Sequence, residues 1–501
     1  MPKVLPRDLA DLQGVVDEAA RVEGLNGFRT IYEVLDFDEM NMVAAFGGFP
    51  VRYPHWKWGM EYERLSKTYE YGLSKIYEMV INNDPCYAYL LESNSFVDQK
   101  LVMCHVAGHS DFFKNNYAFQ YTNRRMIDEM ANHATRVRRY ADWYGVDEVE
   151  NFIDKVLCLE NLIDRHAPYI VRTRKDRDTD EGERAAKVDS VRRMPTDKEY
   201  MERYVNPDQY MESERERVQK EEKKQKTFPA EPARDVLQFL VGYAPLKRWQ
   251  RDILEILRDE FYYFAPQAMT KIMNEGWASY WHAHLMTKKL MLPSELLDFA
   301  DRHSGVVAQT GKSLNPYKLG VELFRDIEER WNRGCFGPEW EHCSNMAEKQ
   351  AWDKKLGQGR QKIFDVRKHY SDVTFIDEFF TLDFCKRNGF FTYGFDKKKQ
   401  DFVIESREFK EVKKKLLASL TNSGSPVICV TDGNFENRAE LLLEHRHDGV
   451  DLDFAYARDT LRNLQYIWTR PVHLLTHFEE RQVMLSFDGE ALKERPVGRQ
   501  V

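Results

Sequence analysis

The sequence predicts an α+β protein, with a mainly helical N-terminal and central part followed by a small α+β domain. Three observations lead there. Apolar residues recur at helical spacing over long stretches between Asp8 and Trp331. From about Phe390 the pattern shortens to strand-length apolar runs and single helices, separated by turn residues. Between Arg172 and Lys226 the aliphatics thin out, and Arg, Lys, Asp and Glu dominate.

Taken in order, Asp8 to Glu23 has helical periodicity. Gly47 to Pro54 is punctuated by glycine and proline and is expected to loop. Trp58 to Met79 returns to a helix through Tyr62, Leu65, Tyr69, Leu73 and Ile76, until Asn82-Asn83-Asp84-Pro85 breaks it. Helices follow at Val97 to Phe113, Thr122 to Tyr144 and Val146 to Ile163. Residues 1–171 thus form the first half of a helical domain, and 172–228 a charged insertion or linker. The second half, 229–385, opens at Pro229, Pro232 and Pro245. It carries helices at Leu246 to Phe264 and Met269 to Met286, on either side of Pro266, and at Leu319 to Trp331.

The domain at 386–501 should hold a hairpin (Phe390 to Phe395 with Asp401 to Glu405) and a helix from Glu408 to Leu420. Strands at Pro426 to Thr431 and Glu440 to His447 precede a helix at Tyr456 to Trp468. A last hairpin joins Val472 to His477 with Val483 to Phe487.

Composition narrows the function classes. A chain of 501 residues with 42% hydrophobic and 13% aromatic content can bury a large core. The net charge of −8 lacks the basic footprint of a nucleic-acid-binding protein. No window approaches about eighteen uninterrupted apolar residues, so no membrane insertion is expected. The opening Met1-Pro2-Lys3-Val4-Leu5-Pro6-Arg7-Asp8 turns acidic before a leader's apolar region could form. Seven cysteines without a CxxC read as reduced thiols, which points to the cytoplasm.

The most informative stretch is Cys104-His105-Val106-Ala107-Gly108-His109. A four-residue step turns about 400° in a helix, so both imidazoles share one side. Far downstream, Glu275 and His282 are seven residues apart, about 700°, again on one side. Two histidines, then a carboxylate with another histidine, is what a metal site asks of a helical scaffold. The pair keeps the spacing of the HExxH zinc peptidases, but Val106 stands where those enzymes have the glutamate that acts as base. A metal, zinc by this donor set, would take His105, His109 and either Glu275 or Glu129, with His282 as a further candidate ligand. The base would come from Asp111, Glu129 or Glu275. Two core histidines satisfied by carbonyls would look the same in sequence.

Glu275 lies among Met273, Trp277, Tyr280 and Trp281, and Gly276 beside it permits close backbone approach. A glutamate so surrounded is a ligand, an acid/base group or half of a buried ion pair. Glu129, four residues before His133, borders an apolar helix face, where an ordinary acid–histidine pair is the competing explanation. Asn115, Asn116 and Tyr280 are candidates to line a substrate cleft, although asparagines also serve turns and caps. In Glu444-His445-Arg446-His447 two histidines share one strand face and could hold a metal or simply face solvent.

Together these segments are similar to the stage V sporulation protein R (SpoVR-like) family. The resemblance is carried by His105 to Asn116 (HVAGHSDFFKNN), Pro266 to His282 (PQAMTKIMNEGWASYWH), Asn315 to Gly320 (NPYKLG), Asn437 to Gly449 (NRAELLLEHRHDG) and Arg470 to His473 (RPVH). It spans nearly the whole chain apart from the charged insertion. The resemblance implies a role in sporulation, in particular formation of the spore cortex, a modified peptidoglycan. It also implies two partners, a serine kinase of the PrkA type and a von Willebrand-factor-like protein. It brings no catalytic residues with it. Two functions follow as expectations: a metal-dependent amide hydrolase, or a non-enzymatic regulatory or scaffold protein working with those partners.

Overall fold

The computed structural model describes residues 5–70, 78–170, 194, 205–225, 228–307, 315–389, 392–396, 401–406, 408–479 and 481–497. The chain divides into two units, Met1–Val149 with Tyr262–Gly424, and Glu150–Phe261 with Ser425–Val501. Among the described residues no helix is long and apolar enough to cross a membrane.

The first unit opens with helix α1 (Arg7–Val22), whose Leu9, Leu12, Val16 and Ala20 are buried on one stripe. Three strands follow: β1 (Thr30–Leu35), β2 (Glu78–Ile81) and β3 (Cys86–Leu91). They form one sheet in the order β1-β3-β2, β1 parallel and β2 antiparallel to the central β3. The sequence reading had no strands here. β3 is buried along almost its whole length, so its alternation vanishes, and β2 is only four residues long. The expected helix from Trp58 begins as predicted, running Trp56–Glu70. Residues 71–77 of that expectation lie outside the described ones.

Helix α2 (Phe96–Asn115) is the centre of the unit. A capping box starts it: Ser95 Oγ accepts from the Asp98 N–H, and the Asp98 carboxylate accepts from the Ser95 N–H. Its middle is buried all round, which is why the histidines are not on a solvated face. Helix α3 (Met126–Tyr144) follows. Helix α4 (Arg248–Met269) contains Pro266, so the break expected there comes slightly later, before helix α5 (Lys271–Leu285). Then come α6 (Leu296–Val307), α7 (Pro316–Arg333), α8 (Gly359–His369) and α9 (Asp372–Phe379).

α5 lies between α2 and α7 at very close range. A Cβ on Gly108 would come 2.7 Å from the Cα of Ala278, and one on Gly276 would overlap the backbone of Gly320. Only glycine lets these backbones meet, and that contact draws the α2 and α5 side chains together.

The unit ends with the antiparallel hairpin β4 (Thr392–Asp396) and β5 (Asp401–Ser406) and helix α10 (Phe409–Leu420). Val412 of α10 belongs to the same core as α2 and α5. The sequence reading placed these elements in a C-terminal domain beginning at 386; the division in the structure comes at Gly424.

The second unit is built on a five-stranded sheet, β6 (Val427–Phe435), β7 (Glu440–Arg446), β8 (Val472–Phe478), β9 (Arg481–Phe487) and β10 (Leu492–Pro496), in the order β10-β9-β8-β7-β6. β7 and β8 pair in parallel, and the crossover between them is helix α11 (Phe454–Trp468). Ala457, Leu461, Leu464, Ile467 and Trp468 of α11 are buried. Residues before 262 complete this unit. Ala233 and Val430 exchange backbone hydrogen bonds at 2.8 Å, and Phe239 stacks on Trp468 at 5.8 Å. Within the charged insertion, Asp208–Gln225 is a helix; residues 172–193, 195–204, 226 and 227 lie outside the described ones.

Candidate metal centre

His105 and His109, one turn apart on α2, are each 5% exposed. Across the close crossing, Glu275 Oε2 on α5 lies 3.7 Å from His105 Nε2 and 3.5 Å from His109 Nε2. One ligand atom from each of these three residues falls within 4.8 Å of the others, the grouping expected around a metal ion. No other trio of His, Cys, Asp or Glu does so among the described residues.

The far side of each imidazole is fixed. His109 Nδ1 lies 3.0 Å from Asn274 Oδ1, an atom that only accepts, so the proton sits on Nδ1 and the Nε2 lone pair is free. His105 Nδ1 lies 2.9 Å from His282 Nδ1. Phe113 stacks on His109 and Tyr317 on His105, at ring separations of 5.9 and 6.3 Å. Such outer contacts are the usual means of aiming metal-binding imidazoles.

The carboxylate lacks the matching partner. Glu275 Oε2 is buried and accepts no hydrogen bond, and Ser279 Oγ, one turn along α5, is a second buried orphan. A buried carboxylate oxygen without a donor is a valence that a hydrogen-bond donor or a cation could satisfy. Electrostatics favour the ligand-ready forms. Burial, reinforced by His105, lowers His109 to about 4, so it is neutral at pH 7. Burial alone would raise Glu275, but His105 and His109 outweigh it and hold the carboxylate below its ordinary range. Burial pushes His282 well down, to the neutral form. A neutral His109 beside an ionised Glu275 is a ligand-ready pair for a divalent metal.

α5 itself is anchored from a distance. The Asp372 carboxylate, at the start of α9, accepts from the Ile272 N–H at 2.8 Å and the Met273 N–H at 2.9 Å, satisfying the first turn of the helix that carries Glu275.

The other expected residues are placed as follows. His282 does not join the trio, because its Nδ1 meets His105 and its Nε2 meets His303 Nδ1 at 2.9 Å. Asp111 is fully buried and faces other partners. It accepts from the Asn26 N–H at 2.8 Å and the Trp277 Nε1–H at 2.9 Å, with Arg367 Nη1 at 3.3 Å. Those donors leave it unsuited to act as a base. Glu129, half-buried on α3, is not in the converging group. Asn115 donates to Asp111, and Asn116 donates to the Arg367 and Tyr370 carbonyls, so both serve structure. Tyr280 donates to Glu328 Oε2 at 2.6 Å and lines a cavity with His303, Arg325 and Phe299. Val106 is part of the apolar core. His303 and Asp372 escaped sequence reasoning; Asn274 and Tyr317 lie in segments it quoted, but their contacts with His109 and His105 were not foreseen.

In the sheet unit, His445 is buried and meets Thr476 Oγ1 at 2.9 Å, while His447 lies beyond β7 and meets Asp451 Oδ1 at 2.8 Å. Their rings lie 5.7 Å apart, each with a hydrogen-bond partner of its own.

Residues 4–425 match the family model described as SpoVR like protein, and residues 426–479 match the SpoVR-like C-terminal domain. The chain belongs to the SpoVR family. The boundary between the two family models falls one residue from the break after Gly424 that separates the two units. Over 504 aligned residues, covering 95% of this chain and 94% of the relative, the chain is 29% identical to the Uncharacterized protein YcgB of Escherichia coli (strain K12). No solved structure matches it.

Proposed function

We propose that this SpoVR-family chain binds a divalent metal, zinc by its donor set, through His105, His109 and Glu275, and that it is a metal-dependent amide hydrolase. The observation that carries the reading is the convergence of two aimed imidazole nitrogens on a buried carboxylate oxygen that has no donor of its own. Three protein ligands with a remaining open position is the form catalytic zinc takes. Zinc so held would polarise an amide carbonyl and make bound water acidic near neutral pH.

The chain's own part is to hold two aimed imidazoles and an ionised carboxylate in a nearly dry crossing of two helices. Glu275 acts as a ligand in this reading. With Val106 in the core, Asp111 held by its donors and Glu129 on α3 outside the converging group, this reading leaves the general base unassigned. The substrate class follows from the family resemblance: a peptidoglycan precursor, in spore-cortex formation or a related stationary-phase process in the cytoplasm, or a regulatory protein.

The alternative is a regulatory or scaffold protein working with a PrkA-type serine kinase and a von Willebrand-factor-like protein. The valine at position 106 favours it, since the usual base is missing. Metal analysis of the purified full chain separates the two. The hydrolase reading expects one zinc per chain, lost in His109→Ala and Glu275→Ala, with melting lowered by EDTA. A chain that carries no metal and melts unchanged with EDTA would leave the scaffold.

A further inference from the structure

Beyond the three converging residues, α2, α5 and α6 place three imidazoles in a row. His105 Nδ1 lies 2.9 Å from His282 Nδ1, and His282 Nε2 lies 2.9 Å from His303 Nδ1. His282 is fully buried, so no water competes for either nitrogen. Each contact needs one N–H and one lone pair, and a neutral imidazole has one of each.

The accounting has one solution once the inner end is fixed. If the His105 Nε2 lone pair faces a metal, its proton is on Nδ1 and is donated to His282 Nδ1. His282 then carries its proton on Nε2 and donates it to His303 Nδ1. His303 is left with Nε2–H. That nitrogen has no partner among the described residues, and His303 stacks on Phe299 at 5.5 Å in the wall of a cavity of about 320 Å³.

We infer that His282 and His303 are positioning residues: a relay of fixed tautomers that aims His105 and joins the buried centre to the cavity beside His303, Arg325 and Tyr280. This rests on the metal reading above. Outer contacts of this kind change metal affinity by about 10–100-fold when removed. The relay differs from a carbonyl or carboxylate partner in having two links in series, the second of which ends in a cavity.

The test is zinc affinity of the full chain, by competition with a chromophoric chelator, with circular dichroism to confirm folding. His282→Leu should bind zinc about 10–100-fold more weakly. His282→Asn, whose Oδ1 can accept where Nδ1 did, should restore most of that affinity. His303→Ala should weaken binding by a smaller factor, and the His282→Leu/His303→Ala pair should be no worse than His282→Leu alone, since the links act in series. Imidazole ¹⁵N spectra of the zinc-loaded wild type should show His105 protonated on Nδ1, and His282 and His303 on Nε2. Wild-type affinity in a folded His282→Leu, or His282 protonated on Nδ1, overturns the relay while leaving the metal site standing. A wild type that takes up no zinc overturns the metal reading and the relay with it.

Discussion

The helical unit sets His105 and His109 around Glu275; the sheet unit sets His473 beside Glu440. Both carboxylates are ionised and held below their ordinary range, and both groups are mostly buried. Their partners differ. His473 uses both nitrogens, on Ser486 Oγ and Glu440 Oε2, each at 2.8 Å. Both oxygens of Glu440 also accept from Arg438, at 2.7 and 3.0 Å. That network ties β7, β8 and β9 together with every strong valence used. Around Glu275 the imidazoles are fixed on their outer sides, while the carboxylate oxygen between them accepts nothing. A site for a ligand is recognised by the valences left over, not by the residue types gathered.

The largest way to break the helical half is at its crossing. Gly276→Ala puts a methyl group into the backbone of Gly320, which has no side chain to yield. Overpacking usually costs about 1–3 kcal/mol, and a backbone clash belongs at or above the top of that range. Urea denaturation should show a loss of about 3 kcal/mol or a chain that does not fold. Stability within about 0.5 kcal/mol of wild type, the usual range of a harmless surface change, would mean the helices are not held at this distance.

Next in size, one pair of substitutions sets the two clusters directly against each other. His473→Ala strips a partner from buried Glu440 and Ser486, so stability should fall by about 1–3 kcal/mol while zinc uptake stays that of wild type. Glu275→Gln should act on the metal instead: zinc uptake is lost, while the metal-free chain gives up only the modest stabilisation that His105 and His109 lend the ionised carboxylate. Calorimetry and metal analysis on the same samples read both. Equal destabilisation by the two changes, with zinc uptake untouched, would make both clusters structural.

How much of this was legible in sequence follows the range of the interactions. His105 with His109, and Glu275 with Gly276, could be read because one helical turn brings the relevant residues together. Asp111 was misplaced for a reason the same geometry contains: two residues from His109 is about 200° around the helix, the opposite side. Asn115 and Asn116 went to backbone carbonyls, as asparagines at a helix end often do. His303 and Asp372 had no local signal, because their roles exist only once α6 and α9 pack on α5. The N-terminal sheet was hidden by the burial of β3 on both faces, and the domain boundary by strands and helices that look alike on either side of Gly424.

Asp372 gives a test by pH. Burial pushes its carboxyl from an unfolded value of 3.8 to about 7, against the two α5 N–H groups and Lys271, and Glu275 adds to the rise. Between those values the folded chain keeps a proton that the unfolded chain has released. Stability from this group is therefore full below about pH 4 and is lost as pH rises toward 7, with a slope approaching about 1.4 kcal/mol per pH unit. Asp372→Asn cannot ionise and keeps one acceptor for the helix start. The difference in unfolding free energy between wild type and variant should thus drift against the wild type from pH 5 to pH 7. Zinc at Glu275 would cancel the neighbouring negative charge that helps keep Asp372 protonated, so the drift should shrink in the loaded chain. A drift of the same size with and without zinc would separate the cap from the metal centre. A flat difference would mean that Asp372 is already ionised and caps α5 as an ordinary carboxylate.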